Sequence, residues 1–475
     1  MSGLAAAHRL LELSEPGTLD VEVVESSARL GGAIHTEPVD AYPVVEHGAD
    51  MFVTDKPWAL DLCRRLGLEG DIVRTNDRFR RTLVLRDGKA VGVPEGFTLM
   101  APSELMPILQ TPILSVAGKA RMALELAVPR RKEEQDESIA SFVRRRFGQE
   151  LLDRIVQPLV GGIYTGDPEK LSLRATLPRF CDMESTSRSV ALAAWRRSRD
   201  EKKRAKTAET TANTTANTTA ESGARYGLFV SLGRGMKSLV EALRAKIEAS
   251  GKVRLRTKVV GLERRGEGYR VGLSPEGHID CDGVVVALPA YTASELLRPL
   301  SAPLANGLDR IPYASTAVVL SGHALADVAH ALDAFGLVVP HVEKRRILAV
   351  SFSSRKLKGR APRGSVLLRT FVGGAMQPEL FELSDARIEG LVLEELRAIF
   401  DVGGAPDFIR VVRWTRAMPQ YHIGHLALVD ELEAESHKLS HLAIAGSYLR
   451  GVGIPDCVRS GEAAAERVLT SIQSR

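Results

Sequence analysis

Residues 4–13 (LAAAHRLLEL) are Ala- and Leu-rich with isolated polar positions, a pattern that predicts a helix stopped at Pro16-Gly17. Leu19–Val24 (LDVEVV) then predicts a strand with Glu25 at its tip, followed by the turn-rich SSARLGG with paired glycines Gly31 and Gly32. A second unit spans 229–300. Its turn at Gly233 and Gly235 leads into a helix with Leu239, Leu243 and Ile247 at a spacing of four. Val253–Leu255 and Lys258–Leu262 read as strands. After a polar hairpin, Asp282–Ala290 (DGVVVALPA) carries the short apolar run of a buried parallel strand. Near the C-terminus His441–Gly446 (HLAIAG) reads as a strand ending in glycine. The turn around Gly451 and Gly453 opens a helix with Val458, Ala465, Val468 and Ile472 on one side.

A helix, a strand and an acid at the strand tip make the second half of a βαβ nucleotide-binding unit. Such a unit needs a Gly-rich turn before its helix, where backbone approaches a pyrophosphate, and an acid about 20 residues on to accept from ribose hydroxyls. Glu25 lies 22 residues after Gly3, so Gly3 fits the third glycine of G-x-G-x-x-G. The first strand and first two glycines do not precede it. The expectation is a reading frame that continues upstream, with Met1 inside the motif, which about ten further codons would test.

Glu25 followed by Arg29-Leu30-Gly31-Gly32 resembles the FAD-binding signature of amine-oxidase-like flavoproteins, and Val45–Asp50 (VEHGAD) resembles their E-x-G segment. Gly161–Gly166 (GGIYTG) with Asp167–Arg174 (DPEKLSLR), Arg413–His425 (RWTRAMPQYHIGH) and Gly446–Cys457 resemble bacterial protoporphyrinogen or coproporphyrinogen III oxidases more specifically. The resemblance runs from Gly3 to the C-terminus. It implies an α/β fold: an FAD/NAD(P)-binding Rossmann-like domain with an inserted α+β substrate domain. It implies an FAD-dependent oxidoreductase of heme biosynthesis that takes a porphyrinogen to the porphyrin in three two-electron steps, with oxygen as acceptor and hydrogen peroxide as product. Carried over by position, the FAD set is Gly3, Glu25, Arg29, Gly31, Gly32, Gly48, Val259, Trp414, Gly453, Ile454 and Pro455. The substrate set is Gly162, Tyr164, Phe335, Gly336, Val338 and Phe371. Thr98 stands near where some relatives place a propionate-binding arginine. Arg78, Arg80 and Arg81 are nearby candidates for that task and equally a solvated basic hairpin.

No catalytic residue is assigned. The macrocycle's gain of aromaticity drives the reaction, and the redox chemistry belongs to the cofactor. The protein must hold a methylene bridge against the flavin and exclude water. No Ser-His-Asp or paired-carboxylate arrangement stands out, and His47, His422 and His425 read as structural before they read as bases. The four cysteines (Cys63, Cys181, Cys281, Cys457) form no CxxC, so no metal site is expected and a reduced, cytoplasmic setting is.

Composition narrows the picture further. The 475 residues suit two or three domains, and 44% hydrophobic with 26% charged residues is ordinary for a globular protein. The formal charge of +5 comes from 195–206 (WRRSRDEKKRAK), and the remainder is balanced, so no nucleic-acid partner is expected. The expected FAD domain comprises 1–85, 225–300 and 413–475. A helical substrate or membrane-facing part spans 86–194, and a sheet-containing substrate domain spans 301–412. Between them, 195–224 is expected as a basic, then Thr/Ala/Asn-rich, disordered insertion. Apolar residues around Pro102, Pro107 and Pro112 lie where relatives meet membranes, and read equally as a buried helical subdomain. The expected partners are thus a porphyrinogen and molecular oxygen, with peripheral membrane contact and a homodimer as further options. Two other readings remain: another FAD-dependent amine oxidase or carotenoid desaturase, and a non-catalytic truncated paralogue.

Overall fold

The computed structural model describes residues 1–94, 97–98, 101–102, 106–131, 135–211 and 229–474. The helix predicted at the start runs Ser2–Leu13 and buries Leu4 and Ala5–Ala7. Alanines let it lie close to the long C-terminal helix Ile454–Gln473, where a Cβ on Gly461 would sit 2.1 Å from the Ser2 carbonyl oxygen. The helix Lys237–Glu248 completes this layer, with Leu239, Leu243 and Ile247 fully buried at the predicted spacing.

Two short parallel ladders lie against these helices. Glu22–Val24 pairs with Lys252–Arg254, and Val284–Val286 pairs with Leu442–Ile444. The first helix touches a strand of each, and among the described residues no hydrogen-bonded strand joins the two ladders. A three-stranded antiparallel meander (Lys258–Arg265, Gly268–Ser274, His278–Cys281) sits beside them.

The second unit is a seven-stranded sheet. Its spatial order is Phe408–Pro419, Tyr313–Ala324, Ser365–Gly373, Ala349–Phe352, Gly336–Val338, Thr82–Arg86 and Lys89–Gly92. All neighbours are antiparallel except Gly336–Val338 with Thr82–Arg86. One face packs on the helix Asp385–Phe400. The other faces the flavin-motif segments and a helical lobe built from residues 139–194.

Three expectations shift. The hairpin Thr82–Gly92 belongs to the sheet, although both sides of the 85/86 boundary were expected elsewhere, and Phe408–Pro419 runs through the 412/413 boundary. Thr82–Leu85 are buried on both faces, so they show no alternation to read. Arg78–Arg81 are not a hairpin: Asp77–Phe79 is a 3-10 turn, Arg80 pairs with Asp77 and Arg81 with Asp333. The basic run is helical as part of Val190–Thr211, where Ala, Arg, Lys and Glu without Gly or Pro favour a helix even when solvated. Residues 212–224 of the expected insertion, together with Leu99, Met100 and Leu105, lie outside the described residues, as does the Thr98 side chain.

Candidate active site

The flavin motifs converge at the edge between the two units. At the strand tip the Glu25 amide donates to the Arg254 carbonyl (2.8 Å), and its carboxylate accepts from the Ser27 amide (2.8 Å). Arg29 folds back over its own loop and donates to the carbonyls of Gly32 (2.8 Å) and Ile34 (3.1 Å). Its guanidinium therefore shapes the glycine turn. Gly31 has φ +101°, and a Cβ there would meet both the Ile34 oxygen and Val240 at 2.9 Å.

The E-x-G segment runs alongside this turn. His47 and Ala49 amides bond the carbonyls of His35 (2.8 Å) and Ala33 (3.1 Å). The Trp414 indole N–H donates to the His47 carbonyl at 2.9 Å. Gly48 is thus wedged: a Cβ would fall 2.0 Å from the Ala33 oxygen and 2.9 Å from Trp414. Glu46 is buried, accepts from the Thr36 hydroxyl and from the Met236 amide at 2.8 Å, and caps the approach to the Lys237–Glu248 helix. Burial pushes its carboxyl up from the ordinary range.

Gly3 lies against the end of the Val284–Val286 strand, its Cβ position 3.2 Å from Ala287. Gly453 is the N-cap of the C-terminal helix, with Ile454 and Pro455 in the first turn and no side chain capping it. That helix end, without a side-chain cap, suits a group carrying negative charge. Asp456 in the same turn is held by Lys56 at 2.7 Å. Val259 stands in the meander at a bulge and packs with the core that also takes Val24.

The expected substrate residues divide. Val338, Ala349 and Phe371 are direct cross-strand partners and form one row on the face toward the helical lobe. Gly162, exposed, approaches that row with its Cβ position 3.4 Å from Val338. In the next row Gly336 pairs with Ser351, and Ser351 with Arg369. The Tyr164 hydroxyl is committed to the Thr176 carbonyl (2.9 Å), while its ring packs into the lobe core. Phe335 is buried just before the strand, its amide donating to the Arg81 carbonyl and its carbonyl accepting from the Phe352 amide (both 2.9 Å). The structure thus brings Gly162, Val338 and Phe371 together.

Sequence reading missed Asp50, Lys356 and Arg369, which sit behind Gly48 as a buried ion cluster. The available signal was a single arginine inside an apolar strand, SVLLRTFVG.

The histidines are held by packing. The His425 ring stacks on Tyr421 (3.9 Å, 12°) and its Nε2 donates to the Leu449 carbonyl at 2.8 Å. His47 Nε2 lies 3.2 Å from Glu37, with its ring centroid 4.3 Å from His35. Burial first, then His35, pushes His47 down to about 4, and burial pushes His425 down to about 4. A histidine lowered in the folded state adds stability above its ordinary value near 6.5, and that stability fades as pH falls toward 4. Both rings are expected to stay neutral in an NMR titration down to pH 5, and a midpoint near 6.5 for either would contradict this packing.

Among protein families, the model for flavin containing amine oxidoreductases matches residues 1–469. The chain belongs to this family. It is 33% identical over 477 residues to the coproporphyrinogen III oxidase of Bacillus subtilis (strain 168), covering 100% of this chain and 97% of that one. It is 35% identical over 464 residues to the coproporphyrinogen III oxidase of Propionibacterium freudenreichii, covering 94% and 86%. A crystal structure of a protein from Exiguobacterium sp. 255-15 superposes with a TM-score of 0.83 at 27% identity, covering 100% and 97%. Membership makes the chain an FAD-dependent oxidoreductase with the two-unit flavoprotein fold expected from its motifs. The residues fit that cofactor. Glu25 stands at the strand tip where ribose hydroxyls are expected, and the helix that starts at Ile454 has no side-chain cap.

Proposed function

We propose that the protein oxidises coproporphyrinogen III to coproporphyrin III, with molecular oxygen as final acceptor and hydrogen peroxide as by-product. The full-length likeness to two coproporphyrinogen III oxidases carries this reading. FAD, when bound, supplies two-electron acceptance and reoxidation by oxygen. The chain's own part is placement. Gly31, Gly48 and Trp414 shape the seat of the ring system, the helix start at Gly453–Pro455 lies toward the ring's pyrimidine edge, and Gly3 and Glu25 receive the nucleotide end. The Val338–Phe371 row under Gly162 offers a flat apolar wall for a macrocycle and keeps water from it. Neither His47 nor His425 is placed to take a proton, since both are packed and neutral.

The deciding experiment supplies coproporphyrinogen III, protoporphyrinogen IX and a primary amine side by side to the FAD-loaded protein. Porphyrin fluorescence should grow fastest with coproporphyrinogen III, with three oxygen molecules consumed per porphyrin. Preference for protoporphyrinogen IX would reassign the substrate, and aldehyde from the amine without porphyrin would favour an amine oxidase.

A peripheral membrane contact is part of this reading. Among the described residues no helix is long and apolar enough to cross a membrane. Yet Met106, Leu109, Val116, Leu124 and Leu126 are exposed within one short stretch. The helix Val190–Thr211 touches that stretch and presents exposed Trp195 with Arg196, Arg197 and Arg199. Exposed apolar groups beside a basic helix match an anionic bilayer surface. Co-sedimentation with phosphatidylglycerol vesicles is expected, and a Leu124→Ser/Leu126→Ser variant should bind at least tenfold more weakly. Equal binding of the two would remove this face as the contact.

A further inference from the structure

Behind the Gly48 turn lies a charge arrangement that the oxidation itself does not require. Asp50 receives Lys356 Nζ at 2.8 Å and Arg369 Nη1 at 2.9 Å. Arg369 Nη2 also donates to the Gly48 carbonyl, and its guanidinium lies 5.6 Å over the Phe371 ring. Lys356 and Arg369 side chains are 9% and 4% exposed. A third cation, Arg360, is 1% exposed and donates to the Leu232 and Gly233 carbonyls (2.7 and 2.8 Å) and the Ser231 hydroxyl (3.2 Å), all neutral groups. Two further carboxylates, Glu46 and Asp71, act on Arg360, and Glu46 also accepts from Thr36 and Met236. Lys356 and Arg369 share the single carboxylate Asp50, which leaves that triad with one net positive charge.

An excess of buried positive charge is costly, because each ion loses its hydration and finds too little opposite charge. Such an excess becomes favourable when a negative charge develops next to it. Two electrons and one proton added to an oxidised flavin leave that flavin with one negative charge. The turn that Arg369 grips belongs to the E-x-G segment that the FAD reading sets against the ring.

We propose that Lys356, Asp50 and Arg369 form an electrostatic positioning cluster that raises the reduction potential of the bound FAD by holding net positive charge behind the Gly48 turn. None of the three is a catalytic residue. Arg369 acts through the Gly48 carbonyl and Asp50, and Asp50 fixes the two cations in place. The proposal rests on the FAD reading above, and it predicts a sign for each charge change.

The test is the midpoint potential of FAD in the wild type and in Lys356→Met, Lys356→Arg, Asp50→Asn and the Lys356→Met/Asp50→Asn double variant. The affinity for oxidised FAD is measured alongside. Lys356→Met should lower the two-electron reduction equilibrium at least tenfold, about 30 mV. Asp50→Asn should move it the other way, because it removes the one negative charge. Lys356→Arg and the double variant keep the charge balance and should stay near the wild-type value. A merely structural role would give shifts of one sign, or changes in affinity without changes in potential, and either result overturns the proposal. If Lys356→Met does not fold, Asp50→Asn against the double variant decides: a return toward wild type supports the cluster, and no return overturns it. A wild-type protein that takes up no FAD would overturn the cofactor reading itself, whereas FAD-loaded variants with unmoved potentials overturn this proposal alone.

Discussion

Arg146→Met should destabilise the protein by about 3–5 kcal/mol, the range seen when one partner of a buried ion pair is removed. Arg146 and Glu125 both have fully buried side chains and lie 3.3 Å apart. Arg146 also bonds Glu184 and donates to the carbonyls of Val128 (3.1 Å) and Arg188 (2.9 Å). Glu125 in turn accepts from the Ser189 hydroxyl and the Val190 amide, so the network ties the helix Ile139–Arg146 to the start of the basic helix. Without the guanidinium, Glu125 stays buried with no cation opposite it among the described residues, and Glu184 keeps only Arg145. The neighbouring Arg144 is half exposed and pairs with Glu169 on the surface, so Arg144→Met should cost at most about 1 kcal/mol. Urea unfolding of both variants separates these outcomes, and equal losses would refute the assignment.

The same network gives an acid limit. Burial works to raise the Glu184 carboxyl, but hydrogen bonds from Arg145, Arg146 and the Arg131 amide hold it at about 2. A carboxylate lowered in the folded state adds stability above its ordinary value near 4.5, and that stability is lost as pH falls toward 2. The helical lobe should therefore loosen in that window.

Gly48→Ala should yield protein that retains FAD at least a hundredfold more weakly. The added carbon would lie 2.0 Å from the Ala33 oxygen, a distance at which backbone must move. The movement would break the Ala49-to-Ala33 bond and displace the carbonyls that Trp414 and Arg369 hold. Flavin absorbance of the purified variant and a titration with added FAD measure the effect. An alanine variant as yellow as wild type would place the ring elsewhere.

These two sites differ in how far sequence reveals them. Glu25, Arg29, Gly31, Gly32 and Gly48 are legible because each belongs to a local pattern, where turn chemistry and strand tip occur within a few residues. Helix periodicity likewise exposes Leu239, Leu243 and Ile247. Arg146 is not legible, since Arg144, Arg145 and Arg146 read together as one solvated face and only tertiary packing makes the third different. Asp50, Lys356 and Arg369 come from three separate segments, and Lys356 stands in SSRKLKGR, which reads as an exposed basic loop. Thr82–Arg86 carries no periodicity, so its place beside Gly336–Val338 depends on a partner about 250 positions away.

The layer of helices around the first ladder also dictates when the protein can become itself during synthesis. Glu22–Val24 finds its strand partner at Lys252–Arg254, and Ser2–Leu13 makes its most extensive packing with Ile454–Gln473. At about 5–20 residues per second, the ribosome takes tens of seconds to deliver those partners. Through that interval the Leu4, Ala5 and Ala7 face lacks the part of its core that Leu239, Leu243, Ile247, Ile454 and Val458 supply. Ser2–Leu13 thus completes its packing late, although it is made long before Ile454–Gln473. A ribosome stalled anywhere before the last helix would present an apolar, chaperone-dependent nascent chain rather than a finished flavin domain.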